Sequence, residues 1–248
     1  MFIKSTSLII PTKDRPDFLK RMIKSLNEYI EYFDEILLID SSRDNNHLNS
    51  LNYFSIHKNL KIIKSVPSSS IQRNLGIEIA NKKNHYFMFC DDDIIFEKNA
   101  LNNMDKFIKT NNSYIGYGFN SIEKNTKKNL ENLKKNKFFT NNGFYHSNPG
   151  VVCDNGWHTK LNNLKKNYET MWLSTQACIY KSNYIKDIRF NTNLGKYSYL
   201  EDLFFSYEIR KKGKLILFSD SKYYNENLVE RTSFDFGYQE VVNRYKFV

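Results

Sequence analysis

The sequence predicts an α/β domain with a mostly parallel central sheet and helices packed on both of its faces. Three observations carry that prediction. Short runs of consecutive apolar residues, the mark of strands buried on two sides, alternate with blocks whose apolar residues recur every three or four positions. Capping and turn residues stand at the junctions between them. Polar and acidic residues follow directly on the apolar runs, at the strand ends where sheets of this class bind ligands.

The elements follow in order. "SLIIP" (7–11) is the first strand, ended by Pro11, with Thr12 and Asp14 just beyond it. Asp14 and Pro16 mark the start of a helix in which Phe18, Met22, Leu26, Ile30 and Phe33 recur at helical spacing. "EILLID" (35–40) is the second strand and closes on Asp40; "LKIIKSV" (60–66) is the third. "SSSIQRNLGIEIAN" (68–81) reads as a capped helix with Ile71, Leu75 and Ile79 on one side and Arg73 in its first turns. "HYFMFC" (85–90) is the fourth strand and runs into Asp91, Asp92 and Asp93. Beyond Phe119 the alternation weakens: residues 121–140 read as a polar helix or loop, and residues 141–160 mix turn formers with aromatics as a substrate-covering loop does. Order returns with the strand "STQACIYKS" (174–182), the helix "SYLEDLFFSYEIRKKG" (198–213) stopped by Gly213, and the strand "KLILFSD" (214–220).

The 248 residues suit one domain, and 19 Phe with 17 Tyr can fill a sizeable core. The formal charge of +10 asks for an anionic partner, whether nucleic acid, membrane surface or phosphorylated small molecule. Much of the lysine sits in segments such as "NTKKNLENLKKNKF", which read as solvated, so a nucleic-acid role is not favoured. Cys90, Cys153 and Cys178 are odd in number and lack CxxC spacing, which argues against a disulfide framework or a zinc site and suits a reducing cytoplasm. No apolar run reaches the ~18 residues of a membrane span, and the N-terminal run is too short for a signal peptide. A soluble or peripherally attached cytoplasmic protein is expected.

The acidic triplet carries the chemistry. Three carboxylates between two buriable flanks repel one another and resist desolvation, and a hard divalent cation offsets both costs. With no set of His and Cys nearby to suit zinc, the hard oxygen donors point to Mg²⁺ or Mn²⁺ completed by substrate phosphates and water. A helix cap would account for Asp93 ahead of "IIFEKNALNNM" and leave two carboxylates unexplained. Asp40 alone reads as an Asx turn or cap. Arg73, near a helix N-terminus, suits a phosphate or a surface ion pair. "SYLE" has the spelling of a capping box for Ser198 and Glu201. Asp202 is left over, placed to accept a proton from an attacking hydroxyl. Trp157, His158 and Trp172 could stack on a sugar or simply pack in the core.

Taken in order, "SLIIPTKDRPDFLKRMIKSL", "EILLIDSSRDN", "SIQRNLGIEIA", "FMFCDDDIIF" and "LEDLFFSYEIRKKGKL" resemble the family-two glycosyltransferases of the GT-A fold, over most of the chain. The resemblance implies a Rossmann-like α/β/α domain spanning 1–248, with a nucleotide-sugar half (1–119) and an acceptor half (120–248) that holds the base. It implies inverting transfer from a nucleotide-diphosphate sugar, a UDP-sugar foremost, to a glycan or lipid-linked hydroxyl, with Mn²⁺ or Mg²⁺ on the diphosphate. Pro11, Thr12, Asp14, Asp40, Arg73, Asp91 and Asp92 would line the nucleotide-sugar pocket. The triplet stands where the family has its DxD motif: Asp91 with Asp93 fits the spelling, whereas counting from the following helix gives Asp91 to the ribose and Asp92 to the metal, with Asp93 beside it. Asp202 matches the catalytic base of the "ED" motif and Glu201 its support. Where many relatives place a metal-binding His after the last strand, "KYYNENLVERTS" has Asn225 and Glu226.

Two rival readings remain. A sugar-1-phosphate nucleotidyltransferase shares the architecture and the metal, but "PTKDRP" lacks its Gly-rich signature. A basic nucleic-acid-binding module would have to tolerate the acidic triplet.

Overall fold

The structure, a computed structural model, describes residues 2–26, 28–43, 57–123, 137–195, 198–226 and 233–248. Its centre is a nine-stranded sheet in the order β3-β2-β1-β4-β8-β6-β9-β5, with β7 paired to β9 off this path. The strands are β1 (Thr6–Thr12), β2 (Glu35–Asp40), β3 (Leu60–Lys64), β4 (Tyr86–Cys90), β5 (Ile94–Phe96), β6 (Gly116–Ser121), β7 (Tyr168–Thr170), β8 (Ala177–Lys181) and β9 (Leu215–Asn225). β1 to β4, β6 and β9 run in one direction; β5, β7 and β8 run against them. The mostly parallel sheet expected from the sequence is therefore present, and its parallel block β3-β2-β1-β4 presents four C-terminal ends along one edge.

Helices cover both faces. Leu8 and Ile10 of β1 point to one side, where they join Leu19, Met22 and Ile23 of α1 (Pro16–Ser25) and Leu101, Met104 and Ile108 of α3 (Ala100–Thr110). Ile9 points to the other, with Ile77 of α2 (Ser69–Ile79) and Leu203, Phe205 and Ile209 of α6 (Glu201–Arg210). Alternation along one strand thus feeds two cores, as a three-layer fold requires. Short helices α4 (Lys137–Asn141) and α5 (Ser182–Ile185) and the C-terminal α7 (Phe234–Phe247) complete the order.

Gly76 sets how close α2 comes to the sheet. A Cβ there would fall inside the van der Waals envelope of Ile9 Cγ2, and Ile9 is fully buried. Gly76→Ala is therefore expected to destabilise by about 1–3 kcal/mol through overpacking, despite the roughly 1 kcal/mol gain in helix propensity. Chemical denaturation of the two proteins reads the difference.

Several elements differ from the sequence expectations. The first helix stops at Ser25; Ile30 and Phe33 are buried in the same core, but a 3₁₀ turn (Ile30–Tyr32) and the chain after it deliver them. In α2 the buried residues are Ser70, Gln72, Arg73, Gly76 and Ile77, while Ile79 is 40% exposed, so the helix is rotated from its apolar stripe. Asp93 caps no helix: β5 follows it, and α3 begins only at Ala100. The last strand continues past Asp220 to Asn225, where Ile94 pairs with Asn225. Of the polar stretch 121–140, residues 124–136 lie outside the described residues.

Candidate active site

The parallel strands bring the sequence candidates to one edge. Thr12 and Asp40 are register partners at the ends of β1 and β2, and Asp91 follows directly on β4. Gln72, from the first turns of α2, donates to the carbonyls of Thr12 at 3.0 Å and Ile39 at 2.6 Å and ties the two strand ends together. Asp40 is fully buried. Its Oδ1 accepts from Ser42 N at 2.9 Å and its Oδ2 from Lys64 Nζ. Burial opposes its ionisation, but the bonds from Lys64 and Ser42 outweigh it and hold the carboxyl below the usual carboxylate range. Asp14, at φ 50°, stands at the rim, accepting from Arg43 N at 3.0 Å.

The triplet divides. Asp91 is partly exposed and turned toward Arg73, 2.6 Å from Nη2. Asp92 is fully buried: Thr12 Oγ1 donates to its Oδ2 at 2.8 Å, and Arg15 Nη2 lies 2.6 Å from its Oδ1. Asp93 Oδ2 accepts from Arg15 Nη1 at 2.8 Å. Burial pushes the Asp92 carboxyl up to about 7, against the pull of Arg15 and Thr12 and with help from Asp93 and Asp91.

The other wall is the start of α6. Arg73 is buried, and its Nη1 donates to Glu201 Oε1. Ser69 and Ser70 donate to Glu201 Oε2 at 2.9 and 2.5 Å. Glu201 therefore serves α2 across the cleft, and the expected capping box does not form: only Glu201 N meets Ser198, through a carbonyl at 3.0 Å. Ser198 and Leu200 both have left-handed backbone, at φ 46° and 73°, and for a buried leucine that conformation is costly. Just beyond this strained turn Glu201 contacts α2, and Asp202 follows it in the first turn of α6. Asp202 Oδ1 accepts from Leu203 N at 2.9 Å; among the described residues Oδ2 accepts no hydrogen bond. Burial foremost, and then the Glu201 charge, raise the Asp202 carboxyl to about 7 against the influence of Arg73. A carboxyl with that value and one open oxygen is suited to general base work near neutral pH.

The aromatic candidates form a separate group. The His158 ring meets Trp172 edge-on at 4.7 Å, and Arg244 of α7 lies 4.4 Å from the Trp157 centroid and 3.2 Å from His158 Nδ1. Burial and the Arg244 charge push His158 down to about 3, so the ring is neutral. The cluster is linked to the backbone of Asp202 through Ser206, whose hydroxyl donates to Asp202 O at 2.6 Å, with Leu173 O 3.0 Å away, and accepts from Leu173 N, beside Trp172.

Among the described residues no group of three or more His, Cys, Asp or Glu is arranged to hold a metal. The donor set nonetheless fits a hard cation. Among the described residues the buried Asp92 Oδ1 accepts no hydrogen bond, and the cation set against it is Arg15, whose side chain is 37% exposed. Asp92 and Asp93 would hold the ion, with Arg15 displaced. Glu226 offers the triplet its backbone, donating from N to Asp93 O at 2.9 Å, while its carboxylate is 2.6 Å from Arg21.

The profile of glycosyltransferase family 2 matches residues 7–189. The chain belongs to that family. The Staphylococcus aureus protein TarP, a poly(ribitol-phosphate) β-N-acetylglucosaminyltransferase, is 29% identical over 126 residues, covering 49% of this chain and 38% of that relative. Residues 1–349 of S. aureus TarS, in complex with UDP-GlcNAc, superpose with a TM-score of 0.64 at 16% identity, over 97% of this chain and 66% of that one. The mannosyltransferase PcManGT from Pyrobaculum calidifontis, with GDP-Man and Mn²⁺, gives a TM-score of 0.64 at 12% identity over 98% and 63%. This family-two chain thus has the GT-A fold, and it spans less than half the length of the first relatives it matches.

Arg15, Ser69, Ser70, Gln72 and Lys64 were not among the sequence candidates. Arg15 was within reach, since a cation three residues beyond Thr12 at the same strand end could meet the triplet. The serines and Gln72 carried no such signal, because their role depends on the rotation of α2.

Proposed function

We propose that this family-two protein transfers a sugar from a nucleotide-diphosphate donor to a hydroxyl acceptor with inversion, in glycan assembly. The observation that carries the reading is the buried Arg73, whose one guanidinium grips Asp91 beyond β4 and Glu201 of α6 and so fixes Asp202 opposite the triplet. Thr12, Asp14 and Asp40 line the nucleobase and ribose side, and Asp91 meets the ribose. Asp202 Oδ2 takes the proton of the attacking hydroxyl while the N-termini of α2 and α6 favour negative charge between them. Bound at Asp92 and Asp93, Mg²⁺ or Mn²⁺ would supply countercharge for the departing diphosphate. The donors named with TarS and PcManGT, UDP-GlcNAc and GDP-Man, support the donor class. A poly(ribitol-phosphate) acceptor, as in the name of TarP, is anionic and would suit the +10 charge of this chain. Trp157, His158 and Trp172 shape the acceptor side.

A thermal-shift screen of nucleoside diphosphates and their sugars, with and without Mn²⁺, tests the donor. One of them at 100 times its Kd should stabilise the protein by about 2.7 kcal/mol. No response to any of them would refute the reading.

The metal reading makes its own prediction. Arg15→Gln is expected to lose on the order of 2–3 kcal/mol in EDTA, the lower range for a broken buried pair because Arg15 is partly exposed. It should also gain more from Mn²⁺ than the parent does. Equal manganese responses in the two proteins would count against Asp92 and Asp93 as ligands.

A further inference from the structure

Helix α7 has two faces that carry apolar side chains, and among the described residues only one of them is packed. Its inner face is built in: Asn243 is buried and donates to the carbonyls of Leu194 and Tyr199 at 3.0 and 2.8 Å, and Phe247 packs edge-on against Phe204 and Tyr207. The outer face carries Phe234, Tyr238, Val241 and Tyr245, exposed by 87, 65, 67 and 85%, and Val248, one residue past the helix and beside Gly156, is 73% exposed. These are the five most exposed large apolar side chains among the described residues. Their spacing, alternately four and three, is that of a heptad seam, which another helix fits.

We infer that this seam pairs antiparallel with the same seam of a second copy, forming a two-fold dimer with its axis near Val241. Three features favour that occupant. Asp235 and Lys246 are both exposed near opposite ends of the helix, Lys246 Nζ donating to Asn193 O at 2.9 Å, so antiparallel pairing brings each Asp235 within reach of the other copy's Lys246. Parallel pairing would forgo that match and align the two helix dipoles unfavourably. At roughly 200 Å² per aromatic side chain the three rings leave about 500 Å² in water, so two copies would bury about 1,000 Å² before the valines count, near the lower bound of specific interfaces. The helix also bears two acids, Asp235 and Glu240, against two bases, Arg244 and Lys246, and so lacks the cationic excess of an interfacial membrane helix.

The dimer would brace the catalytic side, because the inner face of α7 holds Tyr199 and Phe204, which flank Asp202. Light scattering coupled to gel filtration at micromolar concentration tests the inference on the full chain. The expected mass is twice 29.5 kDa, falling to 29.5 kDa in Val241→Glu/Tyr245→Glu with an unchanged circular dichroism spectrum. Asp235→Lys should weaken the dimer at least ten-fold, and adding Lys246→Asp should restore it. A monomeric parent protein, a dimer indifferent to the seam substitutions, or a monomer that binds anionic vesicles through this seam would each overturn the inference.

Discussion

Replacing Asp202 with asparagine is expected to lower the turnover of sugar transfer by about 10²–10⁴-fold while leaving donor affinity nearly unchanged. The substitution keeps the shape and the bond from Leu203 N but removes the oxygen that receives the proton. Donor affinity survives because the groups placed on the nucleotide side, Thr12, Asp40 and the triplet, belong to other elements. In the parent protein the acid limb of the turnover profile should fall near pH 7, where the Asp202 carboxyl titrates. Glu201→Gln removes a neighbouring negative charge that raises this value, so the limb should move to lower pH. The same shift bears on stability. The Asp202 value lies above the ordinary aspartate value of 3.8, so the folded protein holds more protons than the unfolded chain between these values, and the contribution of this group to stability declines as pH rises from about 4 to about 7. Full transfer activity in Asp202→Asn, measured with saturating donor, would remove Asp202 from the chemistry.

Arg73→Met is expected to cost on the order of 3–5 kcal/mol of stability, because it strands Glu201 and Asp91 without their shared cation. The Arg73 side chain is 3% exposed, so water cannot replace the guanidinium. Neighbouring acids, Glu201 and Asp91 ahead of Asp202, outweigh burial and keep Arg73 charged at every accessible pH. Arg73→Met/Glu201→Met should recover part of the loss, since removing both partners leaves less uncompensated charge. A loss below about 1 kcal/mol in the single variant, read from denaturant unfolding, would show that the two walls of the cleft are held together by something else.

The sheet was legible because strands buried on both faces need unbroken apolar runs: "SLIIP", "EILLID" and "HYFMFC" gave β1, β2 and β4 within a residue or two. Direction followed from the alternating helices, and with it the convergence of Thr12, Asp40 and Asp91 on one edge. What the sequence hid lies where local rules give way to the site. In α2 the apolar stripe predicted Ile79 inward, yet the helix turns Ser70, Gln72 and Arg73 in, because Glu201 and the carbonyls of Thr12 and Ile39 need donors. Glu201 carries the spelling of a capping box and instead crosses the cleft to α2, a long-range contact that no local pattern encodes. β6 and β7 escaped notice because β6 carries two glycines and two polar residues in six positions, and β7 has only three residues.

The most direct test is a crystal structure with a bound nucleotide-diphosphate sugar and Mn²⁺, recorded at the manganese absorption edge. The account predicts an anomalous peak bound by Asp92 and Asp93, Arg15 withdrawn from both, and the anomeric carbon of the sugar facing Asp202. A donor seated away from the ends of β1, β2 and β4, or a diphosphate in place with Arg15 still gripping both carboxylates and no manganese, would contradict it.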